Sequence, residues 1–297
     1  MSEHHHHHDV SGKNLFITIV LNIIITLSQI VGGIFSGSLA LLSDAMHNFS
    51  DVLALLIAYV ANRLAAKENT KAKTFGYKRA EIIAALFNAS VLIGIAIFLI
   101  IEAFHKFYHP EVINSIWVIG LGLLSIVLNA ASVLLIKDDA HSNMNIKAAY
   151  LHLLTDVMTS VAVVLGGVLM YFYQIFWIDP LISFLIALYL IWASFDLVKE
   201  SSAILMQFTP KGIDIDEIVK FIMQEKEIAN VHHLHIWKLD DHRIHLEAHL
   251  DFNEDVTLSE SNKVIDTLEK ILHDTFGIEH TTFQCEYNRE DDKSLIV

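Results

Sequence analysis

Along residues 15–199 the chain alternates long apolar runs with short polar breaks, and the runs have the length of membrane spans. Uncharged stretches at 15–35, 82–101 and 115–136 each reach the roughly 20 residues that carry a helix across a bilayer. Three more runs, at 40–59, 148–173 and 180–195, complete a set of six; two hold ionisable residues in mid-span and the last is short. After about residue 205 the period changes. Ile215, Ile218, Val219, Ile222 and Met223 recur at helical spacing, and Thr257 with Glu260 makes a capping box ahead of Val264, Ile265, Leu268, Ile271 and Leu272. Between 243 and 252, Ile244, Leu246, Ala248, Leu250 and Phe252 alternate with His245, Glu247, His249 and Asp251, the period of a half-buried strand. Segments 231–239 and 281–286 predict two further strands. The order helix, strand, strand, helix, strand suits a small α+β domain with an open sheet covered on one face by helices.

The expected organisation is a polar stretch over 1–14, a six-helix transmembrane domain over 15–199, a cytoplasmic α+β domain over 205–290 and a short tail over 291–297. Charge sharpens this division. Residues 15–199 carry 11 acidic and 10 basic residues, whereas 200–297 carry 21 and 9, so nearly all of the net −14 belongs to the polar part. Arg63, Lys67, Lys71, Lys73, Lys78 and Arg79 follow span two, Lys137 and Lys147 follow span four, and Lys199 follows span six; the alternate loops hold only Lys106. Positive residues favour the cytoplasmic side, which predicts both termini in the cytoplasm. The first apolar run is too long for a cleavable signal peptide.

Composition then removes whole classes of function. With 54% apolar and 18% charged residues, a water-soluble fold is excluded, and the negative balance disfavours nucleic acid as a partner. A single cysteine, Cys285, excludes a disulfide framework or a Cys-rich zinc module; its place on the strand predicts a buried thiol. The 18 histidines cluster: five at His4 to His8, five between 47 and 152, eight between 232 and 280.

Span two holds His47 and Asp51, and span five holds His152 and Asp156. Each His-x-x-x-Asp pair puts both side chains on one helix face, a turn apart. An aspartate at mid-span costs about 2.5–3.5 kcal/mol on an insertion scale, so a compensating partner is required. A divalent cation supplies it: two carboxylates and two imidazoles make a nitrogen and oxygen set that suits tetrahedral zinc. Spans two and five run antiparallel, which lets the pairs face each other at the midplane. The competing reading has each aspartate bonded to Asn48 or Thr155 as interhelical glue. Asp44, three residues before His47, reads either as an acid at the outer mouth or as a helix-end cap.

The segments Ser36-Gly-Ser-Leu-Ala-Leu-Leu-Ser-Asp-Ala-Met-His47-Asn-Phe-Ser-Asp51, Phe75-Gly-Tyr-Lys-Arg-Ala-Glu81 and Asp179-Pro-Leu-Ile-Ser183 resemble the cation diffusion facilitator transporters over nearly the whole chain. The resemblance implies six transmembrane helices with a ferredoxin-like, metallochaperone-like cytoplasmic domain. It also implies a homodimer that exports metal in exchange for protons, and a transport site at His47, Asp51, His152 and Asp156. Histidine at the first of these positions resembles the zinc-preferring branch. A second site, with histidines between spans two and three, is not expected, since 64–81 contain none. Val231-His-His-Leu-His-Ile-Trp237 and Ala248-His249-Leu250 are similar to the family's regulatory strands, which implies tail ligands at His232, His249, His280 and Glu286. His233, His235, His242 and His273 are left as surface or packing residues, and His4 to His8 reads either as a native metal-collecting run or as a purification tag.

The expected function is therefore proton-coupled export of Zn2+, with zinc also as regulatory ligand. The alternatives are a broader exporter of cadmium, cobalt or nickel, or a membrane-bound metal sensor without transport. A metalloenzyme is not expected, because no His-Glu-x-x-His motif is present. A passive channel would need ionisable lining that spans one, three and four lack. The short 137–146 loop favours a bacterial plasma-membrane protein.

Overall fold

The computed structural model describes residues 10–137 and 144–296; the His4 to His8 run lies outside them. Six long helices follow one another: α1 (Val10–Ser36), α2 (Leu39–Ala65), α3 (Ala80–Tyr108), α4 (Ser115–Ile136), α5 (Met144–Tyr173) and α6 (Ile178–Leu205). All six are long and apolar enough to cross a membrane. They are apolar on the outside as well as within: Ile34, Phe35, Val127, Leu134, Phe172 and Trp192 are all exposed. An apolar surface on this scale suits lipid rather than water.

The described residues form two compact units. One comprises residues up to Tyr59 together with Phe87–Leu197; the other comprises Val60–Leu86 and Val198 onward. The polar stretch between α2 and α3 thus groups with the C-terminal region, where a division near residue 200 alone would leave it with the helices.

Inside the helical unit the interior is polar where helices meet closely. Gly122 on α4 lies so near α5 that a Cβ there would stand 2.5 Å from Val164. Around such contacts sit Ser125 and Ser160, 2.8 Å apart, and Ser43 and Ser183, 2.5 Å apart. Small residues let helix backbones approach, and hydroxyl pairs satisfy each other without water.

In the second unit the elements are α7 (Ile215–Ile222), β1 (Ile228–Lys238), β2 (Ile244–Phe252), α8 (Leu258–Phe276) and β3 (Ile278–Glu286). The sheet order is β1-β2-β3, with β1 antiparallel and β3 parallel to β2. Ile218, Ile222, Leu246, Leu250, Leu268 and Leu272 are fully buried between sheet and helices; each such side chain contributes roughly 1.5–3 kcal/mol relative to exposure. The Thr257–Glu260 capping box opens α8, and Gly277, at φ 66°, closes it in the left-handed conformation that glycine adopts without a Cβ clash. Beyond β3 the chain returns to the free edge of β1: the amides of His233 and Leu234 donate to the carbonyls of Ser294 and Leu295, at 3.1 and 2.8 Å. Two backbone bonds thus tie Ser294 and Leu295 to the edge of the three-stranded sheet. Cys285, expected to be buried, is exposed, because β3 is an edge strand.

Candidate metal centres

The contacts between α2 and α5 run in opposite order along the two helices. Asp44 meets Ser160, His47 meets Asp156, and Asp51 meets His152, so the helices cross antiparallel and the two His-x-x-x-Asp pairs interleave. His47 Nε2 lies 3.3 Å from Asp156 Oδ1, and His152 Nε2 lies 3.2 Å from Asp51 Oδ2. The return contacts are 3.6 Å from His47 Nδ1 to Asp51 and 3.8 Å from His152 Nε2 to Asp156. Single donor atoms of His47, His152 and Asp156 all fall within 4.8 Å of one another, while Asp51 stands beside them through its contacts to His47 and His152.

The buried polar atoms of this cluster stand at ion-pair distance from one another but make no hydrogen bond. Both ring nitrogens of His47, both carboxylate oxygens of Asp156 and Oδ2 of Asp51 are buried without a hydrogen bond. The side chains named in the glue reading are engaged elsewhere: Asn48 donates to Gln29 and Thr155 to the Leu151 carbonyl. Uncompensated buried carboxylates are costly, and a divalent cation is the ligand whose chemistry fits these donors. Access is one-sided. Asp156 is fully buried and His47 nearly so, whereas the side chains of Asp51 and His152 are 21% and 42% exposed.

Asp44 is neither a mouth residue nor a cap. It is buried, and its carboxylate accepts hydrogen bonds from Gln29 of α1 at 2.5 Å and from Thr159 and Ser160 of α5, both at 3.1 Å. The network continues through Ser125 to Asn129 of α4. Spans one and four thus contribute uncharged polar residues next to the candidate site. Being uncharged, these residues carry no ionisable signal in the sequence.

A second cluster crosses the sheet. His232 on β1 pairs with His249 on β2, and Asp251 pairs with Glu286 on β3, which brings these side chains to one end of one face. His232 is fully buried; its Nε2 is 3.5 Å from both Glu286 and Asp291, and its Nδ1 is 3.3 Å from Asp251. His249 Nδ1 lies 3.1 Å from Glu286. Donor atoms of His232, His249, Glu286 and Asp291 all fall within 4.8 Å of one another. Of the four tail residues expected as ligands, the structure brings together His232, His249 and Glu286 but not His280. That residue is six positions from Glu286, about 20 Å along a strand, and its ring lies 5.0 Å from His245. Asp291 and Asp251 are the carboxylates that stand nearest instead.

This cluster already holds a cation. Lys293 Nζ donates to Asp251 at 2.8 Å and to Glu286 at 3.2 Å, and it also bonds Asp291. The Lys293 bond holds the Asp291 carboxyl down at about 2. Partial desolvation works against the ammonium, but its carboxylate partners outweigh it and hold the Lys293 pKa above the usual lysine range. At the sheet's other end, burial, aided by the nearby His280, holds the His245 imidazole below its ordinary pKa; Phe75 and Trp237 flank this ring at 6.1 and 5.6 Å.

Comparison with known proteins places both regions. Residues 15–206 match the cation efflux transmembrane domain, and residues 210–288 match the cytoplasmic domain of cation efflux proteins. The chain is 34% identical over 296 residues to a cadmium, cobalt and zinc/H(+)-K(+) antiporter of Bacillus subtilis, covering 99% of this chain and 95% of the relative. It is 34% identical over 284 residues to the metal cation efflux system protein CzcD of Cupriavidus metallidurans, covering 95% and 89%. It is also 30% identical over 293 residues to the zinc transporter ZitB of Pectobacterium atrosepticum, covering 97% and 90%.

Proposed function

The chain belongs to the cation efflux family of multi-pass membrane metal transporters, and from that premise we propose that it exports Zn2+ in exchange for protons through His47, Asp51, His152 and Asp156. The observation that carries this is the convergence of His47, His152 and Asp156 within metal-binding reach, with Asp51 adjoining and the buried donors of His47, Asp51 and Asp156 making no hydrogen bond. Histidine binds metal only when neutral, and its unperturbed pKa near 6.5 lets protons compete for the same nitrogens. Metal entering from one side and protons from the other would then exclude each other, which is antiport without a nucleotide.

The exposed members of the set are the one C-terminal to His47 on α2, Asp51, and the one N-terminal to Asp156 on α5, His152. Loop charge assigns that side to the cytoplasm, so the arrangement suits metal loading from inside a plasma membrane, with both termini cytoplasmic. The protein would act as a homodimer, with zinc at the His232, His249 and Glu286 cluster regulating it. Relatives named for cadmium and cobalt favour a second reading, a broader metal range, and a His/Asp set also accepts those ions.

Proteoliposomes carrying an imposed pH gradient test the proposal against zinc, cadmium and cobalt in turn. Asp156→Ala should reduce zinc flux to that of empty liposomes, and His47→Asp should retain flux but shift it away from zinc. Full zinc flux in Asp156→Ala would remove the site assignment, and flux indifferent to the gradient would remove proton coupling.

A further inference from the structure

The sheet cluster combines two histidines with three carboxylates, yet its centre is occupied by the chain's own ammonium group. Lys293 reaches Asp251, Glu286 and Asp291, and its Nζ stands 3.5 Å from His232 Nε2. Arg289 adds a second cation at 3.0 Å from Glu286. Meanwhile both His232 and His249 keep a buried Nδ1 without a hydrogen-bond partner. A lysine satisfies the carboxylates but has no acceptor to offer a ring N–H and bonds an imidazole lone pair poorly at this distance. Those nitrogens lie 3.3 Å from Asp251 and 3.1 Å from Glu286, where a metal ion could bridge ring and carboxylate.

The same segment is tied to the sheet by two backbone bonds, Ser294 and Leu295 to the His233 and Leu234 amides on the free edge of β1. His233 there has φ 51°, and the β1–β2 register shifts between His232 and His235. The irregularity turns the edge amides of β1 toward the returning chain beside the cluster. Leu295 also packs against the core. One short segment therefore occupies both the charge cluster and the adjacent strand edge.

We infer that residues 289–296 are a built-in competitor for the cytoplasmic metal site: a divalent cation entering the His232, His249 and Glu286 cluster displaces Lys293 and releases this segment from the edge of β1. The inference rests on reading that cluster as a metal site. Zinc and an ammonium cannot share the centre, since both need the same oxygens of Glu286 and its neighbours within bonding distance. The freed edge of β1 presents the unpaired amides of His233 and Leu234, so metal state becomes backbone accessibility.

Full-length protein carrying Asp156→Ala, to remove binding at the transport site, gives a direct test by zinc titration with hydrogen–deuterium exchange. Zinc should speed exchange at His233 and Leu234, and a further His249→Ala change should abolish that response. Adding Lys293→Met instead should tighten zinc binding about tenfold, the factor expected if the lysine-bound state holds about nine-tenths of the molecules. Zinc binding with unchanged exchange at β1 and unchanged affinity in Lys293→Met would overturn the displacement and leave the metal site standing. Absence of zinc binding in both backgrounds would overturn the site and the inference together.

Discussion

A single carboxylate one turn from the proposed transport site shows how much depends on partners that sequence spacing does not reveal. Asp44 lies on the same helix side as His47, yet its oxygens are committed to Gln29, Thr159 and Ser160, whereas Asp156 makes no hydrogen bond through either oxygen. A satisfied carboxylate is held in place, and an orphaned one awaits a ligand. Asp44→Asn would set an amide N–H₂ against hydroxyl and amide donors. It should lower stability in detergent by about 1–3 kcal/mol, the cost of a buried polar group left mismatched. Because none of the proposed ligands is replaced, zinc affinity at equilibrium should stay close to wild type. Calorimetric zinc titration alongside thermal unfolding checks both; unchanged stability would mean that the network does not hold α1, α2 and α5 together.

At the scale of elements, hydropathy located all six helices but not their ends, because it marks the hydrocarbon slab while the helix hydrogen bonds continue past it. The span expected over 180–195 belongs to α6, Ile178–Leu205, which carries Asp196, Lys199 and Glu200 without breaking. Capping was readable where the cap is local, as at Thr257 and Glu260, and unreadable where it comes from afar. The N-terminus of α2 is capped by Asp179 of α6: one oxygen accepts the Leu39 and Ala40 amides at 2.6 and 3.3 Å, and the other takes the Ser38 hydroxyl. Likewise His232, His249 and Glu286 could be found from strand alternation and resemblance. Asp291 and Lys293 could not, because the segment carrying them has no period and reaches the cluster only by pairing with β1. Asp179→Asn keeps the shape of the distant cap but removes its charge from the positive end of α2. The expected loss is about 0.5–2 kcal/mol, read as a lowered unfolding temperature in micelles, and an unaltered temperature would show that the charge does not matter there.

For the molecule as a whole, the division of charge sets a constraint that neither centre reveals alone. The helical part is nearly neutral, while residues 200–297 carry a surplus of 12 negative charges, which a homodimer would double in its C-terminal region. Like charges on two facing domains repel over roughly a Debye length, about 8 Å at physiological salt, so the resting pair would be held apart. Each zinc bound in the sheet cluster removes two of those charges from the domain that binds it. The segment released with Lys293 stays attached, so its own charge is not lost. Zinc should therefore draw the domains together, and high salt without zinc should do so in part. Cys285 is the single cysteine and is exposed, with its side chain on the strand face opposite that of Glu286, which gives a native attachment point for a spin label. Pulsed dipolar spectroscopy on the dimer should show the distance between the two labels shortening and narrowing as zinc is added. A distance unmoved by both zinc and salt would rule out electrostatic repulsion as the link between metal binding and the arrangement of the domains. A response to zinc alone would assign that link to coordination instead of net charge.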